Sequence, residues 1–279
     1  MARKSNPGPI PGFKKGAPVE RLFYCLLSCL LFIPGVAPAA DSCAPGSPDS
    51  RVTIEYVIDG DTVILGDDTH LRLVGIDTPE IDHKESDNTE PGAVEARRFL
   101  NDLLDSGEHL LVLDEEHEDR HGRLLGHLFL NNGTNVQARL LAEGRAVPLV
   151  IPPNLRFLDC YQAAAESARK QGRGLWGQPR YQALEAAELD AGTRGYRVIE
   201  GTVTRIGKSR TSIWVNLGDG FALRILRGDL PRFTDPDIES LKGRRIQARG
   251  RVYRRNNQLR IQIRHPADLF VLPLGEGNR

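Results

Sequence analysis

Residues 51–80 (RVTIEYVIDGDTVILGDDTHLRLVGIDTPE) contain three short runs in which apolar or β-branched residues alternate with polar ones. The runs cover residues 52–58, 62–65 and 71–76, and Asp-Gly and Gly-Asp-Asp sequences separate them. A period of two, with turn-forming residues between the runs, is typical of antiparallel strands joined by tight turns. The sequence therefore predicts three adjacent strands of a small sheet.

Three acids lie at the turns and ends of these predicted strands: Asp61, Asp77 and Glu80. Asp61 and Asp77 are on neighbouring strands and can converge, and hard cations such as Ca²⁺ prefer such oxygen ligands. Glu80 follows Asp77 by three residues, close enough to orient or deprotonate a water beside the cation. Each acid alone could be a solvated loop carboxylate, but together they indicate a cation site.

Two arginines accompany the acids. Arg72 lies on the strand leading to Asp77, and Arg123 follows Gly122 at the start of a later strand. A planar guanidinium stays ionised and donates paired hydrogen bonds, which suits a phosphate that gains charge in its transition state. Phosphoryl chemistry is the interpretation that these residues favour.

The next part of the chain predicts two further strands, at residues 109–113 and 124–130. Apolar residues at helical spacing predict three helices, at residues 92–104, 136–143 and 155–171. Five strands and three helices predict an α+β fold for residues 51–177, a five-stranded OB-like β-barrel with helices.

Residues 178–194 are polar and alanine-rich, and we predict a partly helical linker there. Residues 195–273 predict a second, all-β OB-like barrel, with a generic five-stranded β domain as the alternative. Its predicted strands are 198–206, 212–217, 222–226, 245–253 and 259–264.

The formal net charge of zero conceals an asymmetry along the chain. Residues 41–194 contain 15 Lys and Arg against 28 Asp and Glu, whereas residues 195–279 contain 17 against 8. A basic segment can bind a polyanion, or it can dock on the acidic middle of its own chain. Basic strands with a few aromatics are typical of single-strand nucleic-acid binding by OB-like barrels. The candidate residues are Arg249, Arg251, Arg254, Arg255 and Arg260.

The N-terminus has the layout of an export signal: basic residues, an apolar run at 22–33 and a small-residue exit. We expect residues 1–40 to be this signal, cleaved near Ala39 or Ala40, with an uncleaved membrane anchor as the alternative. Export would end in the periplasm or outside the cell, without stable membrane association. Cys43 and Cys160 would remain in the exported protein, where they could form one disulfide.

The motifs together resemble the thermonuclease, or staphylococcal-nuclease-like, family. The resemblance covers about residues 51–177 and rests on three motifs in the family's order. They are IDGDTV at 58–63, RL at 72–73 with GIDTPE at 75–80, and DRHGR at 119–123.

The resemblance implies Ca²⁺ held by the carboxylates of Asp61 and Asp77 and by the backbone carbonyl of Thr78. It implies that Glu80 activates or positions the attacking water, and that Arg72 and Arg123 bind the scissile phosphate. The implied activity is cleavage of DNA and RNA to 3′-phosphorylated products, with little sequence preference and no implied protein partner.

Two departures from the family concern substrate contacts. The family's prototype has a tyrosine where this chain has His121, and further tyrosines where it has residues 148–152. An aromatic ring stacked on a base contributes about 1–3 kcal/mol, so their loss should weaken or move base binding and leaves the preference between DNA and RNA open.

Two other functions compete with a nuclease. A nuclease-like fold can serve as a non-enzymatic scaffold that binds nucleic acid, although such scaffolds can lose the acids and arginines that are all present here. A zinc hydrolase would require His117, His121 and His127 to converge, yet they fall across a charged loop and a strand with no nearby cysteine.

Overall fold

The protein is described from a computed structural model, which covers residues 8, 43–82, 84–85, 88–104 and 106–273. The predicted export signal and its cleavage site at Ala39 or Ala40 lie, apart from Gly8, outside the described residues. The residues from Cys43 onward belong to one compact unit, Pro38–Arg279.

The described chain from Ser50 to Lys170 forms short strands and three helices. The strands are β1 (Ser50–Val52), β2 (Ile54–Val57), β3 (Thr62–Leu65), β4 (His70–Leu73), β5 (Ile76–Asp77), β6 (His109–Glu118), β7 (Leu124–Phe129) and β8 (Val147–Pro148). The helices are α1 (Ala93–Leu103), α2 (Val136–Ala142) and α3 (Leu158–Lys170).

Six of these strands form one sheet in the order β1-β6-β7-β4-β3-β2, and β5 and β8 form a separate two-stranded pair. Strands β4 and β7 are parallel, and the other neighbours in the sheet are antiparallel. Its inward face and the helices bury an apolar core that includes Leu71, Leu100, Phe129 and Leu140. This arrangement agrees with the predicted α+β, OB-like architecture of the first half of the chain.

Three strand predictions in this half of the chain need correction. The strand predicted at 52–58 is divided into β1 and β2, which pair with β6 and β3 respectively. The strand predicted at 71–76 is interrupted at Gly75, whose φ of 85° is the left-handed conformation that favours glycine. Asp77 therefore lies on the separate pair β5–β8. The strand predicted at 109–113 continues to Glu118, because its charged end is an exposed hairpin arm that needs no buried face.

The second half of the described chain is dominated by strands. They are β9 (Ala183–Glu185), β10 (Gly195–Thr202), β11 (Arg205–Lys208), β12 (Ser212–Asn216), β13 (Phe221–Leu226), β14 (Arg245–Arg255), β15 (Gln258–Gln262) and β16 (Leu269–Val271).

These strands form an eight-stranded sheet in the order β11-β12-β13-β15-β14-β10-β9, with β16 paired to β14. The segment predicted as a partly helical linker contains short 3-10 turns and β9, which pairs in parallel with β10. The strand predicted at 198–206 is divided into β10 and β11. The side chains of this sheet contribute to a separate apolar core, in which Ile199, Phe221 and Leu223 are fully buried.

A third, smaller apolar cluster joins the two sheets. Trp176 follows α3, and its ring packs edge-on against Tyr181 and Tyr196, each at 6.2 Å between ring centroids. Tyr196 belongs to β10, so the second sheet is packed against the end of the first fold.

Cys43 and Cys160 form a disulfide, with their Cα atoms 5.3 Å apart. The pairing that the sequence left open is thus present in the structure. It connects the chain before β1 to α3.

None of the helices in the described part of the chain has the length and apolar character needed to cross a membrane.

Candidate active site

Asp61 is held at the tight turn before β3. Its backbone N–H donates to Asp59 Oδ1 at 3.0 Å, and its own carboxylate accepts from the Thr62 hydroxyl and from the Thr78 N–H, at 3.1 and 3.0 Å. Gly60 permits this turn, because a Cβ there would lie 2.8 Å from the Thr78 side chain. Asp61 is 5% exposed, so a rigid, buried carboxylate is presented on one side of the turn.

Asp77 and Arg72 complete a buried group of charges with Asp61. Arg72 Nη2 lies 2.9 Å from Asp61 Oδ2 and 3.8 Å from Asp77 Oδ1. The same guanidinium donates to the backbone carbonyls of Leu73 and Ile76, at 2.8 and 3.1 Å. The structure therefore brings together Asp61, Arg72 and Asp77, three of the site residues predicted from the sequence. Thr78 is buried beside them.

The buried positions of Asp61 and Asp77 disfavour their ionised forms. Burial raises the pKa of Asp61, although the positive charge of Arg72 opposes the shift. Burial also raises the pKa of Asp77, against its hydrogen bond and charge interaction with Arg251. A site that buries two carboxylates stabilises their ionised forms only when positive charge is close to both.

Glu80 lies beside this group but is more accessible, with 62% of its side chain exposed. Partial burial raises its pKa, and the negative charges of Asp61, Asp59 and Asp77 add to the shift. Its backbone N–H and carbonyl are both bonded to Glu90, at 3.2 and 2.9 Å. Glu80 is thus a positioned carboxylate whose proton affinity is higher than that of an ordinary surface glutamate.

Arg123 is placed by the turn at the tip of the β6–β7 hairpin. Asp119 accepts from the backbone N–H of Arg123 at 3.1 Å and forms an ion pair with its guanidinium at 2.7 Å. Arg72 and Arg123 line the same cavity of about 240 Å³, together with Glu116 and Leu149. Both predicted phosphate-binding arginines therefore face one space.

An arginine of the second sheet also enters the site. Arg251, on β14, donates from Nε to Asp77 Oδ2 at 2.7 Å and from Nη2 to Asp77 Oδ1 at 3.0 Å. Its Nη2 also lies 3.3 Å from Glu80 Oε1.

Within the described residues, no three His, Cys, Asp or Glu side chains converge as a ready-made metal site.

The other arginines predicted to bind nucleic acid have different surroundings. Arg254 and Arg255 are exposed near the end of β14, and the Arg260 guanidinium lies 4.5 Å from the centre of the Trp214 ring. Arg249 is 9% exposed, stacks on Phe270 at 4.2 Å and pairs with Glu166 at 3.5 Å. Arg249 is therefore buried, whereas Arg251 is partly exposed and paired with Asp77.

Two residues have roles at this site that the sequence did not predict. Asp59 was assigned only to a turn, although its carboxylate both fixes Asp61 and adds negative charge beside it. The Asp-Gly-Asp spacing could have indicated this. Arg251 was grouped with surface arginines, and its 174-residue separation from Asp77 leaves no local signal for their contact.

The three histidines of the zinc alternative have separate environments. His117 and His121 are exposed on the β6–β7 hairpin, and His121 Nε2 accepts from Arg120 at 3.1 Å. His127 is buried, with its ring nitrogens 2.8 Å from the Tyr161 hydroxyl and 3.3 Å from Asp114.

Comparison with known proteins identifies relatives of the first half of the chain. A sequence model of the staphylococcal nuclease homologue family matches residues 70–178. The thermonuclease of Staphylococcus intermedius is 32% identical over 126 residues, which are 44% of this chain and 74% of that protein. Endonuclease YncB of Bacillus subtilis (strain 168) is 30% identical over 148 residues, which are 49% of this chain and 69% of that protein.

A third relative is much longer than the matched region. Endonuclease YhcR of Bacillus subtilis (strain 168) is 31% identical over 137 residues, which are 45% of this chain but 11% of that protein. These matches confirm the predicted family and the predicted enzyme class, a hydrolase that acts on phosphodiester bonds. The chain belongs to the staphylococcal nuclease homologue family.

Proposed function

We propose that this chain is an exported, Ca²⁺-dependent nuclease that hydrolyses DNA and RNA to 3′-phosphorylated products with little sequence preference. The observation that carries the proposal is the buried group of Asp61, Asp77 and Arg72, which adjoins a cavity also lined by Arg123. The endonuclease and thermonuclease relatives support the same reaction class.

The donor set suits a hard divalent cation. Asp61 and Asp77 offer carboxylate oxygens, and Thr78 offers a backbone carbonyl next to Asp77, which is the oxygen chemistry that Ca²⁺ prefers. Burial raises the pKa of both aspartates, so a nearby cation would stabilise their ionised forms. When bound, Ca²⁺ would supply positive charge to the phosphate oxygens in the transition state.

The remaining roles fall to this chain's own side chains. Arg72 and Arg123 would exchange their carboxylate partners, Asp61 and Asp119, for oxygens of the scissile phosphate. Paired N–H donors on two fixed guanidinium groups stabilise charge that develops on a phosphate. Glu80 would accept the proton of the attacking water, because its raised pKa favours proton uptake and its exposure lets water reach it.

The second sheet is proposed to bind nucleic acid. Arg254, Arg255 and Arg260 provide positive charge, and Trp214 provides a ring that already packs against Arg260. Charged and aromatic side chains on one sheet are the usual means of holding single strands without sequence preference. Held close to the acidic first half, this sheet would raise the local concentration of substrate.

Export is proposed from the signal-like residues 1–40 and is supported by the Cys43–Cys160 disulfide, since disulfides persist mainly in oxidising compartments. The periplasm and the cell exterior both fit this chemistry. N-terminal sequencing of the protein from a fractionated culture would test it: a mature chain beginning near residue 40 is expected, and full-length protein in the cytoplasm would contradict export.

A cleavage assay tests the proposed reaction. The mature protein is incubated with single-stranded DNA, double-stranded DNA and RNA, each with Ca²⁺ or with a chelator, and the ends of the products are identified. We expect cleavage of all three with Ca²⁺, 3′-phosphate ends, and loss of cleavage with the chelator. Binding without cleavage would instead support the non-enzymatic scaffold, and chelator-resistant cleavage would contradict the Ca²⁺ requirement.

A further inference from the structure

Asp61, Asp77 and Glu80 form an acid cluster, and Arg251 approaches it from a different sheet. Its guanidinium donates hydrogen bonds to both carboxylate oxygens of Asp77. Its Nε and Nη2 lie 2.7 and 3.0 Å from the two Asp77 oxygens, and Nη2 is 3.3 Å from Glu80. Asp77 has only 7% of its side chain exposed, whereas Arg251 has 40%. This is the bidentate geometry in which arginine binds carboxylates most strongly.

The contact is built into the way the two sheets pack. Arg251 is opposite Tyr196 in the β10–β14 register, and Tyr196 packs against Trp176 and Tyr181 in the cluster that joins the sheets. The strand that carries Arg251 is thereby anchored to the first fold. Its guanidinium enters the site from a fixed backbone position and not from a loop.

The guanidinium and a cation compete for the same atoms. A divalent ion held by Asp77 needs at least one of the oxygens that Arg251 occupies. Bound there, the ion would lie within a few ångströms of the guanidinium, and the two positive charges would repel each other strongly. Competition between the two charges rests on the proposed function in one respect, namely that Asp61 and Asp77 bind the cation.

A second anionic partner is available to Arg251 nearby. The residue lines a cleft of about 270 Å³ between the two sheets, together with Tyr253, Arg264 and the apolar residues 148–151. A phosphodiester in this cleft would offer oxygens to the same guanidinium, with a tyrosine ring close by. Exposure of part of the Arg251 side chain leaves room for such a movement.

We propose that Arg251 is a residue of the active site: in the free protein it occupies the cation's place on Asp77, beside Glu80, and it transfers to a substrate phosphate when the cation binds. The second sheet thereby couples cation binding to the arrival of nucleic acid. Because Arg251 already occupies Asp77 in the free protein, it lowers the affinity of the site for Ca²⁺.

The experiment compares the wild-type mature chain with Arg251→Gln and Arg254→Gln. Calorimetry measures Ca²⁺ binding without nucleic acid, and fluorescence anisotropy measures binding of a single-stranded phosphorothioate oligonucleotide, which is hydrolysed slowly, in saturating Ca²⁺. Arg254 is the matched control because it is an exposed arginine on the same strand, bonded to Asn257 and not to the acid cluster.

The two variants are expected to differ in their effect on Ca²⁺ binding. Arg251→Gln should tighten Ca²⁺ binding about tenfold or more, the scale for removing a close competing charge, and weaken oligonucleotide binding roughly threefold or more. Arg254→Gln should weaken oligonucleotide binding while leaving Ca²⁺ affinity within about twofold, because an exposed charge is screened. Opposite effects on the two ligands are not expected from a merely structural arginine.

Each other outcome overturns the proposal. Unchanged or weaker Ca²⁺ binding by Arg251→Gln would rule out competition and leave the proposed cation site intact, whereas no Ca²⁺ binding by any variant would overturn that site as well. Unchanged oligonucleotide affinity would rule out transfer to phosphate. If Arg251→Gln fails to fold, Arg251→Lys takes its place, since it keeps the charge but loses the paired hydrogen bonds and should tighten Ca²⁺ binding roughly threefold.

Discussion

His127 illustrates how a single polar residue is held inside the apolar core by matched hydrogen bonds. Its ring lies between Asp114 and the Tyr161 hydroxyl, and Asn135 Nδ2 approaches that hydroxyl at 3.4 Å. Donors and acceptors match when Asn135 donates to Tyr161, Tyr161 to His127 Nδ1, and His127 Nε2–H to the Asp114 carboxylate. Burial lowers the pKa of His127, although Asp114 opposes the shift, so the neutral ring is favoured.

This lowered pKa predicts a pH-dependent stability. The unfolded chain binds a proton near pH 6.5 that the folded chain resists, so stability is present above that pH and is lost as the pH falls toward the folded pKa. His127→Gln should flatten the slope of unfolding free energy between about pH 7 and pH 5 and cost about 1–3 kcal/mol at pH 7.5, measured by urea unfolding. An unchanged slope would show that another group is responsible.

At the residue scale, the site was predictable where chemistry and spacing lie close in the sequence. Asp61, Arg72, Asp77 and Glu80 fall within twenty residues, and two short strands place them together. The role of Arg251 was not predictable, because it depends on how the two sheets pack.

At the scale of elements, α3 packs against the turn that leads into β5. The Tyr161 ring packs over Gly75, where a Cβ would lie 2.5 Å from the ring. Gly75 lies in the turn between β4 and β5 and leads directly into Ile76 and Asp77. The disulfide from Cys160 to Cys43 fixes the helix that carries this ring. Alternating residues predicted the strands themselves, but the interruption at Gly75 depends on this tertiary contact.

The disulfide should contribute strongly to stability. It closes a separation of 117 residues, and cross-links over long loops stabilise proteins by about 2–5 kcal/mol. We expect Cys43→Ser/Cys160→Ser to lose about this much in guanidinium unfolding. Dithiothreitol should destabilise the wild type and leave the double variant unaffected. Equal stability of the two proteins without reductant would contradict this account.

At the scale of the whole molecule, the charge asymmetry of the sequence predicted that the two halves would have different roles. The basic half is not simply an open binding surface, since Arg245 pairs with Glu185 and Glu200 within its own sheet, and Arg251 pairs with the acidic half. The sequence left open whether the basic segment binds a polyanion or its own acidic middle. The arginine contacts show that part of it does the latter.

The candidate arginines outside the active site, exposed Arg254 and Arg255 and half-buried Arg260, carry a separate prediction. Replacing Arg254, Arg255 and Arg260 together by Gln should weaken binding to single-stranded DNA and reduce the slope of log affinity against log salt by about 2, from roughly 0.7 per lost phosphate contact. Anisotropy titrations at several salt concentrations measure this slope. A slope equal to that of the wild type would place nucleic acid elsewhere on the molecule.

The central claim is that Glu80 and Arg123 act in one phosphodiesterase site with Asp61, Asp77 and Arg72. The most direct test is the single-turnover rate of single-stranded DNA cleavage in saturating Ca²⁺ by the wild type, Glu80→Gln and Arg123→Ala, with Arg120→Ala as the control from the same hairpin. The account predicts losses of about 10²-fold or more for Glu80→Gln and Arg123→Ala, and less than about threefold for Arg120→Ala. Cleavage at the wild-type rate by both Glu80→Gln and Arg123→Ala would contradict it.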